Sequence, residues 1–400
     1  MTETALPLKG IRVLDMATVL AAPVTATYLG DFGAEVVKIE EPGTGDFIRG
    51  GGESNSLRSL QWVQEGRNKK SVTVDLRTER GRQLIRGMLP HFDVIVTNYR
   101  PPTLEKWGLS PETMAEINPR AIIVCITGYG LTGPYRERGA FDRIASAFSG
   151  LTYVTGEPER DPVRSGYSVI DYMSAYLAAF AAVTALYHRD QHGGPGQIID
   201  LGLYEAGFRA CENALLTYGA EGHVRERAGN RNLGIVPASD FDTADGRRIS
   251  LHAGTDALFR KFATVIGQPH LATDRRFATR ADRVANQQHL YPIIAEWVAG
   301  QTADGAVKLL SDADVPAAPL MSIADIASDP HYRERGTIVT VDDIEYGELP
   351  MAAPFPKMSA TPGTIRTLGP GLGEHTDEIL AQLLHLDDSE LAGLRADGVI

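Results

Sequence analysis

Cysteine is nearly absent from this chain: Cys125 and Cys211 are the only two in 400 residues. They form no C-x-x-C pair, so neither a disulfide framework nor a thiolate metal cage is expected. Each reads as a small buried hydrophobe in a reducing compartment. The ten histidines show no H-E-x-x-H or other paired-ligand spacing, so no resident metal is expected. No G-x-S-x-G marks a serine hydrolase elbow. The opening residues, MTETALPLKG, lack the charged start and apolar core of a signal peptide. No uninterrupted apolar run reaches about 18 residues, so no membrane span is expected and the cytoplasm is the expected location. Positive charge is also in deficit, with 39 Lys plus Arg against 51 Asp plus Glu and a net charge of −12. That balance argues against coating nucleic acid, because phosphate neutralisation needs a basic surface.

What is present is an ordinary globular composition, 43% hydrophobic and 22% charged. A chain this long suits one large domain and a smaller one. Short Val/Ile-rich runs alternate with helical stretches: residues 11–16 (IRVLDM), 35–39 (EVVKI), 71–76 (SVTVDL), 93–97 (DVIVT) and 121–126 (AIIVCI) read as strands. Residues 19–30 and 79–89 read as helices between them. This alternation predicts a parallel α/β sheet of Rossmann type, with ligand bound beyond the carboxyl ends of the strands. The first strand is followed by MATVLAAPVTATYLGDFG, which contains no G-x-G-x-x-G. A pyrophosphate cannot approach that backbone in the usual way, so the dinucleotide reading fails although the fold type stands.

Residues 171–188 form the clearest helix, rich in Ala and Leu-like residues and free of Gly and Pro. HGGPGQ (192–197) breaks it, and a strand and a long helix are expected to follow. Near Gly229 the text becomes turn-rich and β-like; about 257–310 reads as a helical module; a Pro-, Asp- and Gly-rich return from Pro316 ends in a helical tail after Gly373.

Across nearly its whole length the chain resembles the class III CoA-transferase family, also called CaiB/BaiF. The resemblance rests on GIRVLDMATVLAAPVTATYLGDFGAEVVKIEEPGTGD, RNKKSVTVDLRTERG, TNYRPPTLEKWGL, INPRAIIVCITGYGLTGPY, GYSVIDY, VPAAPLMSIADIASDPH, AAPFPKMS and LGEHTDEIL, in family order. It implies a Rossmann-like large α/β domain built from the N-terminal half and the C-terminal tail, a smaller α+β domain, and an interlocked homodimer. The expected boundaries are 1–200 for the first part of the large domain, 201–228 for a linker helix, 229–315 for the small domain and 316–400 for the return. The implied activity is transfer of CoA from an acyl-CoA donor to a carboxylic acid, with coenzyme A as substrate and no bound cofactor.

By this resemblance Asp171 is the nucleophile, forming an aspartyl anhydride and then an aspartyl-CoA thioester. Its place at a helix start suggests that terminal amides keep it ionised; the plain alternative is that Asp171 only caps the helix. Lys38, Leu76, Arg77, Asn98, Tyr99, Arg100 and Lys106 are assigned to the nucleotide end of CoA. Arg49, Arg67, Lys69 and Lys70 add to that basic cluster, for which a solvated face is the alternative. TGYGLTGPY (127–135) is either a backbone approach to the thioester or an ordinary turn after a buried strand.

Leu20, Gly51 and Phe141 are assigned to the substrate pocket. The racemase branch of the family carries histidine where Phe141 stands, and a phenyl ring cannot shuttle an α-proton; Phe141 also reads simply as a core aromatic. The oxalate-specific branch has Gln at position 20, Trp at 51 and a glycine-rich loop in the small domain, all missing here. The pocket is therefore expected to take a larger or less polar acid; succinyl-CoA as donor is what the family resemblance implies. The alternatives are a 2-methylacyl-CoA racemase and a CoA-binding subunit of a hetero-oligomeric transferase.

Overall fold

A computed structural model describes residues 6–50 and 58–400 of the chain. They divide into two compact units, a larger one formed by the described residues within Met1–Thr152, Arg164–Leu216 and His331–Ile400, and a smaller one comprising Tyr153–Val163 and Thr217–Pro330. In the larger unit six parallel strands, β1 (Arg12–Asp15), β2 (Glu35–Glu40), β3 (Lys69–Thr73), β4 (Val94–Thr97), β5 (Ile122–Thr127) and β6 (Gln197–Gly202), lie in the order β3-β2-β1-β4-β5-β6. This doubly wound order reverses direction at β1 and β4, where open α/β sheets place their ligands.

The apolar runs read as strands because both faces of the sheet are covered. Alternate residues feed opposite cores. Leu14, Ile95, Ile123 and Cys125 join one, under the helix Glu79–Met88 and the tail helices. Val13, Val94, Val96, Ile122, Val124 and Ile126 join the other, under helix α1 (Ala21–Asp31) and the long helix Val169–His192. Helix α2 (Leu60–Glu65) precedes β3, and α3 (Val169–His192) runs for 24 residues against α1 and β5. An 18-residue window of α3 has mean hydropathy 1.6, long and apolar enough by that measure to cross a membrane, although no uninterrupted apolar run of that length exists. Its buried face carries Ala175, Ala178, Ala182 and Ala185, whose small side chains allow close packing. Its other face leaves Leu177, Phe180, Val183 and Tyr187 exposed.

Two local expectations are corrected. β3 begins at Lys69 and leaves the ladder at Thr73, earlier than the SVTVDL run implied. The long helix expected after β6 is two helices, Leu203–Arg209 and Ala214–Glu221, interrupted where Glu212 adopts a left-handed φ of 53°.

The smaller unit holds an antiparallel sheet, with Arg248–His252 between Ala238–Asp242 and Ala317–Pro319, and the helices Asp256–Val265, Gln287–Ala299 and Ala303–Asp312. Phe259, Phe262, Phe277, Leu290 and Ile294 fill its core. Arg283 is fully buried there and donates to the carbonyls of Val236, Phe277 and Gly254 and to Asp256. The segment Tyr153–Val163 belongs to this unit through Gly229 N–H to Gly156 O at 2.9 Å and Tyr153 Oη to Glu226 at 2.7 Å.

Strand β3 lies at the sheet edge, and residues 364–376 cover it. Asn68 N–H donates to Thr367 O, His375 N–H to Ser71 O, and Thr73 N–H to Thr376 Oγ1. The Asn68 side chain clamps the same segment, donating to Asp31 and Thr364 O and accepting from the amides of Arg366 and Thr367. Asn68 itself has φ 60°, a conformation Asn tolerates better than other residues with side chains. Asn68→Ala loses all four bonds and keeps the unfavourable backbone, so it should destabilise the chain by about 2–4 kcal/mol. Asn68→Gly, which relieves the backbone, should cost less. Chemical denaturation of the two variants beside the parent checks this, and equal midpoints for Asn68→Ala and the parent would refute it.

Candidate functional site

The turn joining β1 to α1 is built on buried charge. At the carboxyl end of β1, Asp15 faces two lysines: Lys38 Nζ lies 3.6 Å from its Oδ1 and Lys69 Nζ 2.9 Å from its Oδ2. Lys38 also pairs with Asp46 at 2.9 Å and donates to Ala17 O, while Lys69 donates to Pro23 O at 2.7 Å. All four ionic side chains are at most 3% exposed. Burial alone would lower the Lys38 pKa, but Asp15, Asp46 and Glu40 hold the ammonium charged, above its ordinary range. Asp46 in turn accepts from Val19 N–H at 3.1 Å, and Val19 sits at φ 69°. A β-branched residue in that region is strained, so the carboxylate holds a conformation that Val19 would not adopt alone. Asn98, after β4, fixes the preceding residue from the other side: its Oδ1 accepts from Thr18 N–H at 2.9 Å and its Nδ2 donates to Thr18 O at 2.6 Å.

A cleft of about 220 Å³ opens beside this turn, lined by Thr18, Glu41, Leu76, Arg77, Tyr99 and Trp107 among others. Its residues follow β1, β2, β3 and β4, so it lies where the strand order predicts a ligand. Tyr99 packs edge-on against Trp107, with ring centroids 4.8 Å apart, and both line the cleft with Leu76. Arg77 supplies an exposed guanidinium, paired with Asp75 at 2.9 Å and Glu41 at 2.6 Å. Aromatic and aliphatic side chains lining one cleft with a guanidinium suit a planar base attached to phosphate.

Asp171 is the third residue of α3 and is 9% exposed. The N-cap position is Ser168, whose side chain makes no cap bond, so Asp171 is not the helix cap. The cap comes from another helix. Asp142, at the start of the helix Asp142–Phe148, accepts from the amides of Ile170 at 2.9 Å and Asp171 at 3.4 Å. The helix-end amides expected to keep Asp171 ionised are therefore taken by a second carboxylate. Burial first, and then the charge of Asp142, push the Asp171 pKa up to about 7. That is opposite to the expected direction. The segment carrying Asp142 approaches the end of β5 because residue 128 is glycine: a Cβ there would fall 2.6 Å from that of Ala140.

The turn after β1 links the two places. Thr18 lines the cleft, while Leu20, 6% exposed, packs with Val24 and Ala175 and against Tyr172, the neighbour of Asp171. Of the residues assigned from the sequence, Leu76, Arg77 and Tyr99 thus line one cleft, and Asn98 braces its turn. Arg100, at the start of the helix Pro101–Trp107, is exposed and donates to Glu137 O at 3.2 Å; Lys106, in that helix's last turn, is exposed. Phe141 is 69% exposed, directly before Asp142, and is no core aromatic. Gly51 lies outside the described residues.

The basic cluster is where the sequence reading departs most from the structure. Lys38 is not a surface cation; its ammonium lies beneath the turn, committed to carboxylates and a carbonyl. Arg67 is buried in a two-bond pair with Asp31, Lys69 is committed to Asp15, and Arg49 is bonded to Glu40. Lys70 pairs with Glu378 and Glu35, near the amino ends of the strands. Strand alternation was the available signal, because Lys69 and Lys70 must face opposite sides of β3. Trp107, Glu41 and Asp142 were missed. Trp107 adjoins Lys106, Glu41 follows Lys38 by three residues and Asp142 adjoins Phe141, but Asp142 acts on amides 28 residues away, and no local pattern shows that.

A family model for CoA-transferase family III matches residues 8–376. The chain is 41% identical over 98% of both chains to succinyl-CoA–D-citramalate CoA-transferase of Chloroflexus aurantiacus. It is 42% identical to the beta subunit of succinyl-CoA–L-malate CoA-transferase from the same organism, covering 100% of this chain and 99% of that one. Among solved structures, a CaiB/BaiF family protein from Brucella suis superposes with a TM-score of 0.82 at 34% identity, covering 94% of this chain and 99% of the other. The six-stranded parallel sheet, the cleft at its carboxyl edge and these matches lead to one conclusion: the chain belongs to CoA-transferase family III and is an enzyme that transfers coenzyme A between acyl groups.

Proposed function

We propose that the chain moves CoA from succinyl-CoA to a second dicarboxylic acid through covalent intermediates on Asp171. The observation that carries this reading is the β1–α1 turn, which lines the cleft with Thr18 and backs the first turn of α3 with Leu20. The Asp171 carboxylate attacks the thioester carbonyl and the CoA thiolate leaves, giving a mixed anhydride. The thiolate then attacks the aspartyl carbonyl, releasing succinate and leaving an aspartyl thioester. An incoming carboxylate reverses both steps, and Asp171 is regenerated with no net proton transfer. A carboxylate of raised basicity is a better nucleophile once ionised. Phe141 supports transfer over racemisation, since it offers no proton at the family's histidine position.

For the CoA nucleotide we assign Leu76, Tyr99 and Trp107 to the base and Arg77, Arg100 and Lys106 to the phosphates, with Asn98 and Lys38 acting through the turn they brace. Leu20 and Phe141, with Gly51, are assigned to the acyl pocket. The acceptor class follows the relatives' names, citramalate and malate. The exposed apolar face of α3, with Phe180 72% and Tyr187 62% exposed, supports a paired assembly, the interlocked homodimer of the family. A second reading has its own support, because one relative of 42% identity is a subunit of a two-chain enzyme.

Succinyl-CoA without acceptor should acylate Asp171, and hydroxylamine should convert that residue to a hydroxamate detectable by peptide mass. Asp171→Asn should lose transfer by several orders of magnitude while still binding CoA; full activity would refute the mechanism. In the parent, labelling should rise with pH up to about 7 and then level, following ionisation of Asp171. Its raised pKa means that ionisation costs folded stability between about pH 4 and 7. Asp171→Asn should accordingly melt higher than the parent at pH 8 and equally at pH 3.5.

Arg77→Ala and Lys106→Ala should each weaken CoA roughly tenfold, and less at high ionic strength where the parent's phosphate contacts are screened. Calorimetric titration at two salt concentrations measures both effects, and parent-like affinity in both variants would displace the assigned nucleotide end.

The homodimer should elute near twice the chain mass of 43.3 kDa and persist on dilution. Purified alone, it should transfer CoA. A monomer that becomes active only with a second related chain would favour the two-subunit reading.

A further inference from the structure

Behind Asp171 lies a buried acidic group that the transfer chemistry does not use. Glu65, the last residue of α2, is 2% exposed. Its Oε1 accepts from Tyr172 Oη at 3.0 Å and from Gln64 Nε2 at 2.7 Å. Its backbone carbonyl accepts from Thr27 Oγ1 of α1 at 2.7 Å. Arg67 stands 3.9 Å from Oε2, but that guanidinium already makes two bonds to Asp31, the last residue of α1. Two carboxylates share one cation, so the Tyr172 hydroxyl supplies much of the compensation that a buried carboxylate needs. Burial, followed by the charge of Glu65, pushes the Tyr172 pKa above its ordinary range, so the phenol stays a donor.

Tyr172 occupies a particular place. It follows Asp171 in the first turn of α3, and its ring packs with Leu20, Val24 and Ala175 beside the turn after β1. One side chain thus joins the start of α3, the start of α1 and the end of α2. We infer that Tyr172 and Glu65 are positioning residues for the nucleophile: their hydrogen bond sets the first turn of α3 against the β1–α1 turn, and so the position of the Asp171 carboxylate. The inference rests on Asp171 being the nucleophile. Asp142 holds the backbone of that turn from the other side, through the amides of Ile170 and Asp171. The nucleophile is therefore gripped on its backbone by one carboxylate and through its neighbour's side chain by another. Asp171 passes from carboxylate to neutral anhydride and thioester during turnover. A position fixed by neighbours, independent of its own charge, is what such a residue needs.

The test uses Tyr172→Phe, which keeps the ring and removes only the hydroxyl, together with Glu65→Gln and Glu65→Ala. Single-turnover acylation of Asp171 by succinyl-CoA is followed by hydroxylamine trapping, alongside steady-state kcat and KM and a thermal melt. Tyr172→Phe should slow acylation about 10- to 100-fold with KM for the CoA donor within about twofold. Glu65→Gln, which keeps an acceptor oxygen, should retain most of the rate, and Glu65→Ala should match Tyr172→Phe. The Tyr172→Phe, Glu65→Ala double variant should be no slower than either single variant, since both remove one bond. If the folded Tyr172→Phe enzyme acylates at the parental rate, or the two effects simply multiply, the positioning role is overturned. Absence of any Asp171 label in the parent is a separate result: it removes the nucleophile, and this role with it.

Discussion

Four buried charges brought together under the β1–α1 turn are the constraint on which the site depends. Asp15, Lys38, Asp46 and Lys69 pair with one another in the interior, and removing one leaves an uncompensated ion at a cost of about 3–5 kcal/mol. Their product is the shape of a turn. Where a dinucleotide-binding sheet clears space with glycines, this chain places Val19 and Leu20 and stabilises Val19 in a left-handed conformation through Asp46. The side chains that stand where those glycines would be, Val19 and Leu20, pack with Ala175 and Tyr172 against the first turns of α3.

The electrostatics around Asp171 show a compromise. No cation contributes to its shift; burial and the carboxylate of Asp142 both oppose its charge. That raises basicity, which would serve the attack proposed for it, while lowering the fraction ionised near neutrality. Asp142 meanwhile carries out a structural task, capping a helix whose own N-cap side chain makes no bond. One carboxylate thus both places its neighbour and sharpens it.

Much of the large unit was legible because its strands are buried on both faces, so apolar runs at 94–97 and 122–127 needed no further information. Where the glycine motif is missing, the structure has a turn carrying Val19 and Leu20. Cations were harder to read. RNKK looks like a phosphate cradle, yet Arg67 and Lys69 serve internal pairs, because charge in a sequence carries no sign of which face it will occupy. Asp171 was assigned a role through resemblance, and its electrostatic setting was misjudged because the amides in question are bonded by a residue from another helix. The inclusion of 153–163 in the smaller unit depends on contacts more than 60 residues away, such as Tyr153 with Glu226, and local composition is silent on those.

The cover over β3 has a consequence for how the protein is made. The strand is synthesised early, but the residues that satisfy its outer edge, 364–376, emerge about 300 positions later. During elongation the nascent sheet presents an open strand with unpaired amides, a template for wrong pairing. That edge carries Lys70, whose charge discourages another strand from docking. A ribosome that stalls or terminates before residue 364 would release a chain whose sheet is assembled yet unsealed, a natural substrate for chaperones and proteases.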